Sequence, residues 1–209
     1  MVELEAPGLA SAPPPADRTG MERSVHRRRA LVALWVATLA IAGITVAPAA
    51  ESALPTCPAA NAIPTRATVH KGQDAVLCLV NRERQRRGKR PLRDAAALRS
   101  AAAGHSRDMV ARHYFDHDTP GGRDLVDRVM AAHWASRHSA WRLGENIAWG
   151  GGAYATPRRI VALWMGSPGH RANILDGRFR EAGAGVAAGT PQRTRRRGAT
   201  YTMDFGTRG

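Results

Sequence analysis

Two cysteines in 209 residues, Cys57 and Cys78, are too few to hold a zinc ion by themselves, so a zinc module built on cysteine alone is excluded. Acidic side chains are also scarce, 17 against 31 Lys and Arg, which leaves a formal net charge of +14. Residues 1–50 hold five of the arginines and four of the acids, so the excess belongs to the rest of the chain. Such an excess attracts anionic surfaces such as phospholipid, wall polymer or nucleic acid, or is simply a solvated basic face. No nucleic-acid-binding motif accompanies it, and export argues against that partner. The sequence also has no HExxH helix and no GxSxG elbow. The triple glycine at 150–152 is not followed by Gly-Lys-Ser/Thr, so it is no phosphate loop and reads as a flexible link.

Residues 21–50 read as a leader. MERSVHRRR, ALVALWVATLAIAGITV and Ala47-Pro48-Ala49 are the basic, apolar and cleavage regions of a secretory signal over residues 21–50. Cleavage leaves a secreted chain with no membrane span, whereas an uncleaved signal anchors the protein at the cell surface. Residues 1–20, rich in proline and alanine, read as unstructured, and Met21 is a possible true start. In an exported chain the expected state of Cys57 and Cys78 is a disulfide from the mature N-terminal arm to the first helix, with two buried free thiols as the alternative.

The arm, residues 51–72, has prolines at 55, 58 and 64 and no hydrophobic period, so it should be extended. Loss of Cys57 is accordingly expected to loosen the arm alone. A helix follows over Asp74–Arg87, stopped by Gly88, and Asp94 can cap a second reaching about Arg112. Leu98, Ala102, His105 and Met109 share one stripe of that second helix, which puts His105 on a core face as a structural histidine or a ligand. A short helix is expected over Asp124–His133, a strand over Arg142–Gly150, a helix over Pro157–Met165, and closing strands over 181–189 and 199–206. The arginine-rich PQRTRRRG links the last two.

Three residues carry chemistry. Strand alternation puts Glu145 on a face with Leu143, Ile147 and Trp149, where an unpaired carboxylate would cost several kcal/mol. Glu145 is therefore protonated, paired or beside a cation. In WMGSPGHRANIL, Ser167 is a good N-cap and Pro168 a good first residue, so His170 falls in the first turn of a helix. The dipole there favours a neutral ring, able to take a proton, bind a metal or be satisfied by a backbone carbonyl. His117 lies in the loop HYFDHDTPGGR, just after Tyr114 and Phe115. In the same loop Asp116, Asp118, Gly121 and Asp127 fall at calcium-loop spacing, but Pro120 replaces a ligand and Asp127 the longer glutamate.

Taken in order, CLVNRER, AAAGHSRDM, FDHDTPGGR, GENIAWG, WMGSPGHRANIL and GAGVAAG with YTMDFG resemble the bacterial branch of the CAP superfamily. That superfamily groups cysteine-rich secretory proteins, antigen 5 and pathogenesis-related 1 proteins. The resemblance covers about Asp74 to Gly206 and implies a CAP domain within residues 73–209. It implies an α+β fold, a three-layer α-β-α sandwich with a small, largely antiparallel sheet. It also implies a cleft of two histidines, His117 and His170, and two acids, of which Glu145 is one. The place of the second acid falls in the region of Ser167, which leaves the tetrad incomplete; Glu181 is a substitute in composition only. Some family members bind zinc or another divalent ion through the two histidines, so His117 and His170 would be ligands and Glu145 a ligand or an orienting partner. Such a site would hold metal weakly. The functional expectation is a secreted binding protein taking lipid, wall polymer or protein at the cell surface. The competing expectation is a zinc-dependent hydrolase or protease with Glu145 as general base.

Overall fold

The computed structural model describes residues 2–5, 56–136, 138–192 and 197–209. The signal reading over 21–50, most of residues 1–20, residues 51–55 of the arm and the arginines at 193, 195 and 196 lie outside them. Five strands form one sheet in the order β1-β3-β5-β4-β2: β1 Val2–Glu5, β2 Arg93–Asp94, β3 Trp141–Gly151, β4 Glu181–Ala188 and β5 Gly198–Arg208. All pairings are antiparallel except β2 with β4. Strand β1, pairing with Arg142–Glu145, lies where the sequence reading had no element. The central ladder is β3 on β5, from Trp141 opposite Arg208 to Gly151 opposite Gly198.

Alternation along these strands feeds two cores. On one side Ala148, Tyr201, Met203, Phe205 and Val186 pack with Val76 and Val80 of α1 (Val69–Gln85), Trp164 of α4 (Pro157–Gly166) and Ile174 of α5 (Pro168–Leu175). On the other, Leu143 packs with Leu98 of α2 (Ala96–Arg112), with Leu125 and Val129 of α3 (Leu125–Ala131), and with Trp134. The result is the three-layer α+β sandwich expected. The glycines of EAGAGVAAG set its tightest contact. A Cβ on Gly183 would stand 2.0 Å from the Arg99 nitrogen and one on Gly185 2.1 Å from the Ala102 carbonyl carbon, so α2 lies directly on the β4 backbone.

Helix boundaries moved for local reasons. Helix α1 begins at Val69, five residues before the expected Asp74, because Thr65 and Thr68 bond to each other and close the arm's last turn. Gly88, with φ +65°, ends that helix as read. Asp94 does not cap α2: it lies in β2 and accepts from Arg99, and Ala95 takes the cap position. Asp124 does cap α3, accepting the Asp127 N–H at 2.8 Å. Ser167 occupies the cap position of α5, but its side chain makes no capping bond. The triple glycine is no free link, since Gly150 and Gly151 belong to β3 and Gly152 opens a 3-10 turn.

Cys57 and Cys78 form the expected disulfide between arm and α1, with Cα atoms 5.7 Å apart. The arm, however, is no loose appendage: Ala60 is 3% exposed within the larger core, and its carbonyl accepts the Arg158 N–H. Replacing both cysteines by serine should therefore cost about 2–4 kcal/mol of the whole domain's stability. The check is whether one cooperative transition shifts in urea; an unchanged main transition with a separate early arm signal would restore the looser expectation.

Candidate functional site

Strand β3 carries Glu145 to the α2 side of the sheet, with no solvent exposure. Both of its oxygens are engaged. Oε1 lies 2.7 Å from Nδ1 of His117, and Oε2 accepts from Nη2 of Arg128 at 2.6 Å. Burial alone would raise the Glu145 pKa, but the His117 bond and the Arg128 charge outweigh it, and the group is held below the usual carboxylate range. The other terminal nitrogen of Arg128 fixes the His117 loop by donating to the His117 carbonyl at 2.7 Å. The same loop is tied at Asp116, whose carbonyl meets Nε2 of His105 at 3.0 Å, and at Thr119, which exchanges backbone bonds with Arg123 and Gly122. His105, 1% exposed, is thus a satisfied structural histidine, and burial lowers its pKa.

Helix α5 is locked onto β3 by two asparagines. Asn173 donates to the Glu145 carbonyl at 3.1 Å and to Oδ1 of Asn146 at 3.0 Å, while Asn146 donates to the His170 carbonyl at 3.0 Å. The GEN and SPGHRAN stretches are therefore one construction, joined through side-chain amides. His170 is held below its usual pKa by burial, with the charge of His117 acting in the same direction. Its Nδ1 is buried and has no hydrogen-bond partner among the described residues, so the backbone-carbonyl reading of this ring fails at that nitrogen.

Glu181 is a structural peg, accepting from the Trp134 indole at 2.8 Å and from Arg93 at 3.1 Å. Asp204 of β5 instead stands directly opposite Glu145 in the ladder, fully buried. As a carboxylate it would find no donor for either oxygen, and burial followed by the Glu145 charge pushes its pKa well above the ordinary value. Both effects favour the protonated form of Asp204, which could donate to Glu145. Arg128, Asn173 and Asp204 were all missed from sequence. Arg128 had a signal, since it shares a helical stripe with Leu125 and Val129.

Among the described residues no three or more His, Cys, Asp and Glu side chains are gathered so as to hold a metal ion, and this includes the calcium-like spacing of the loop. Glu145 does not fit a ligand's role, with its oxygens taken and a guanidinium 2.6 Å away. Two imidazoles fall short of the three protein ligands of a catalytic zinc. Glu145 does fit the role of orienting His117.

An α-β-α sandwich whose central strand carries a buried glutamate bonded to a histidine defines the CAP class of extracellular-type domain. The family model described as CAP, cysteine-rich secretory protein family, matches residues 77–205, and the chain belongs to this family. It is 40% identical to YkwD of Bacillus subtilis over 110 residues, which are 53% of this chain and 40% of YkwD. To the membrane protein YlbC of the same organism it is 32% identical over 111 residues, 53% of this chain and 30% of YlbC. The chain thus spans less than half the length of either relative. An extracellular SCP-domain protein from Bacillus anthracis has a similar structure, with TM-score 0.52, 27% identity, and coverage of 68% of this chain and 43% of that one. An outer surface protein of Borrelia burgdorferi shares the fold at TM-score 0.50 and 16% identity, covering 64% of this chain and 90% of that one.

Proposed function

We propose that this chain is a secreted CAP-domain protein that binds a lipid, wall polymer or protein at the cell surface without transforming it. The observation that carries the reading is the full engagement of Glu145, whose two oxygens are spent on His117 and Arg128. A general base must accept a proton from water, and a carboxylate pinned by a guanidinium and held at low pKa is poorly suited to do so. What the site offers a polar ligand is the imidazole of His117, its side chain 20% exposed and its orientation fixed by Glu145. Export is supported by the Cys57–Cys78 disulfide, which persists in oxidising compartments, and by the signal-like leader. Among the described residues no helix is long and apolar enough to cross a membrane.

The competing reading is a divalent-metal hydrolase, with His117 and His170 holding zinc weakly. It is favoured only by the unpartnered His170 nitrogen. The deciding experiment incubates the protein with cell-wall sacculi and with anionic vesicles, with and without a chelator, alongside the His117→Ala, His170→Ala variant. Retention on one of them that survives high salt and chelation, weakens at least tenfold in the variant and releases no soluble product supports binding. Product release abolished by the chelator and restored by zinc would establish the hydrolase.

A further inference from the structure

The arm, the last turns of α2 and the neighbouring ends of β4 and β5 border an open groove. It consists of two cavities, of about 430 and 450 Å³, that share Arg66, Val110 and Ala188 in their linings. Neither is lined by His117, Glu145 or His170. Three guanidinium groups border the groove: Arg66 belongs to both cavities, Arg107 to one and Arg197 to the other. All three residues are exposed, and their side chains make no hydrogen bond or ion pair among the described residues. Among the described residues no acid lines either cavity. The backbone under each cation is anchored. Arg66 sits in the turn Thr65–Thr68, where the Thr68 N–H donates to the Thr65 carbonyl and the Thr65 N–H to the Thr68 hydroxyl, each at 2.9 Å. Arg107 stands on α2, and the Arg197 carbonyl accepts the Gly152 N–H at 2.7 Å. Val69, Val110 and Ala111 add apolar walls.

Three like charges around one groove with no acid to balance them favour an anionic occupant. Because they stand on three separate elements along two linked cavities, a chain of anions can meet all of them where a single small ion cannot. We propose that this groove binds a phosphodiester-linked wall polymer, with its phosphates on Arg66, Arg107 and Arg197. Guanidinium forks match phosphate oxygens two at a time. An acidic polypeptide would also carry charge, but it brings a peptide N–H and C=O with every residue, and apolar walls leave these without partners. A polyol phosphodiester carries its charge in its main chain and has no amides to strand. Single-stranded nucleic acid is held by stacking on aromatic rings, and no Phe, Tyr or Trp lines either cavity. Access to such a polymer rests on the export and cell-surface role proposed for the chain; the groove itself does not depend on what the histidines bind.

The test titrates the full chain with poly(glycerol phosphate) by calorimetry at constant ionic strength, with glycerol 3-phosphate, poly-L-glutamate and oligo(dT) in parallel. The polymer should bind saturably and about a hundredfold more tightly than the monomer, since later phosphates bind intramolecularly once the first is held. Arg66→Gln, Arg107→Gln and Arg197→Gln together should weaken it by roughly tenfold or more. The charge-matched set Arg90→Gln, Arg123→Gln and Arg159→Gln, at exposed arginines outside both cavities, should change it little, as should the His117→Ala, His170→Ala variant. Groove binding should also fade in high salt, the condition under which retention through the histidines is scored, so either reading can fail alone. Equal weakening by the two triple sets would reduce the effect to diffuse charge and overturn the proposal. So would a polymer that fails to saturate, or poly-L-glutamate or oligo(dT) bound as tightly as the phosphodiester.

Discussion

Arg128→Met is expected to destabilise the domain by about 3–5 kcal/mol, a large part of the roughly 5–15 kcal/mol by which a domain of this size is typically stable. The Arg128 side chain is 6% exposed and supplies the positive charge against Oε2 of Glu145, itself fully buried. Removing it leaves the carboxylate without that charge, at a depth where water cannot compensate. The bond to the His117 carbonyl is lost as well, so the loop that presents the imidazole loosens. Charge, rather than lost packing, should dominate, and the double variant Arg128→Met, Glu145→Leu separates the two. With both partners gone no uncompensated charge remains, and most of the loss should be recovered. By the same logic Glu145→Gln, which still offers Arg128 an acceptor, should be milder than Glu145→Leu, which strands the guanidinium. Urea unfolding at neutral pH measures all four. A double variant as unstable as Arg128→Met alone would sink the charge argument.

This network shows where the sequence was readable and where it was not. Glu145 could be singled out because strand alternation alone buries it, and a buried carboxylate demands a partner. The identity of the partner was not readable in the same way, because it depends on which helix the sheet faces. Arg128 is 17 residues away, on a helix whose docking is set by Leu125, Val129 and Trp134 packing on Leu143. Asp204 escaped for a simpler reason. It obeys the same alternation as Glu145, yet in the closing YTMDFG its neighbours Thr200 and Thr202 make that face look polar and solvated, when α2 covers it: the Ser106 hydroxyl bonds to Thr202 at 2.9 Å. His170 was found from helix-start signals, but the amides of Asn146 and Asn173 that seat its helix are long-range contacts with no local signature. Strand β2 was missed because two residues with a parallel partner carry no period.

Asp204→Asn should stabilise the protein at neutral pH and do less at acidic pH. Burial, then the Glu145 charge, holds the native Asp204 pKa well above the ordinary 3.8, so the folded chain carries a proton there that the unfolded chain releases. A carboxyl raised in the native state contributes its stability fully below the unfolded pKa and loses it as pH rises towards the folded one. Across that window the loss is about 1.4 kcal/mol per pH unit for one proton. Asparagine keeps the shape, presents an N–H₂ to Glu145 in place of the acid O–H, and carries no proton to lose. The stability difference between variant and wild type should therefore be small near pH 4 and grow towards pH 7. Glu145, held low in both proteins, loses its contribution only as pH falls, and so does not obscure the comparison. Thermal melts from pH 4 to 8 measure the difference, and infrared spectra at neutral pH should show a protonated carboxyl band in the wild type that the variant lacks. A difference that stays flat across that range, with no such band, would mean that Asp204 is ionised and paired by a cation.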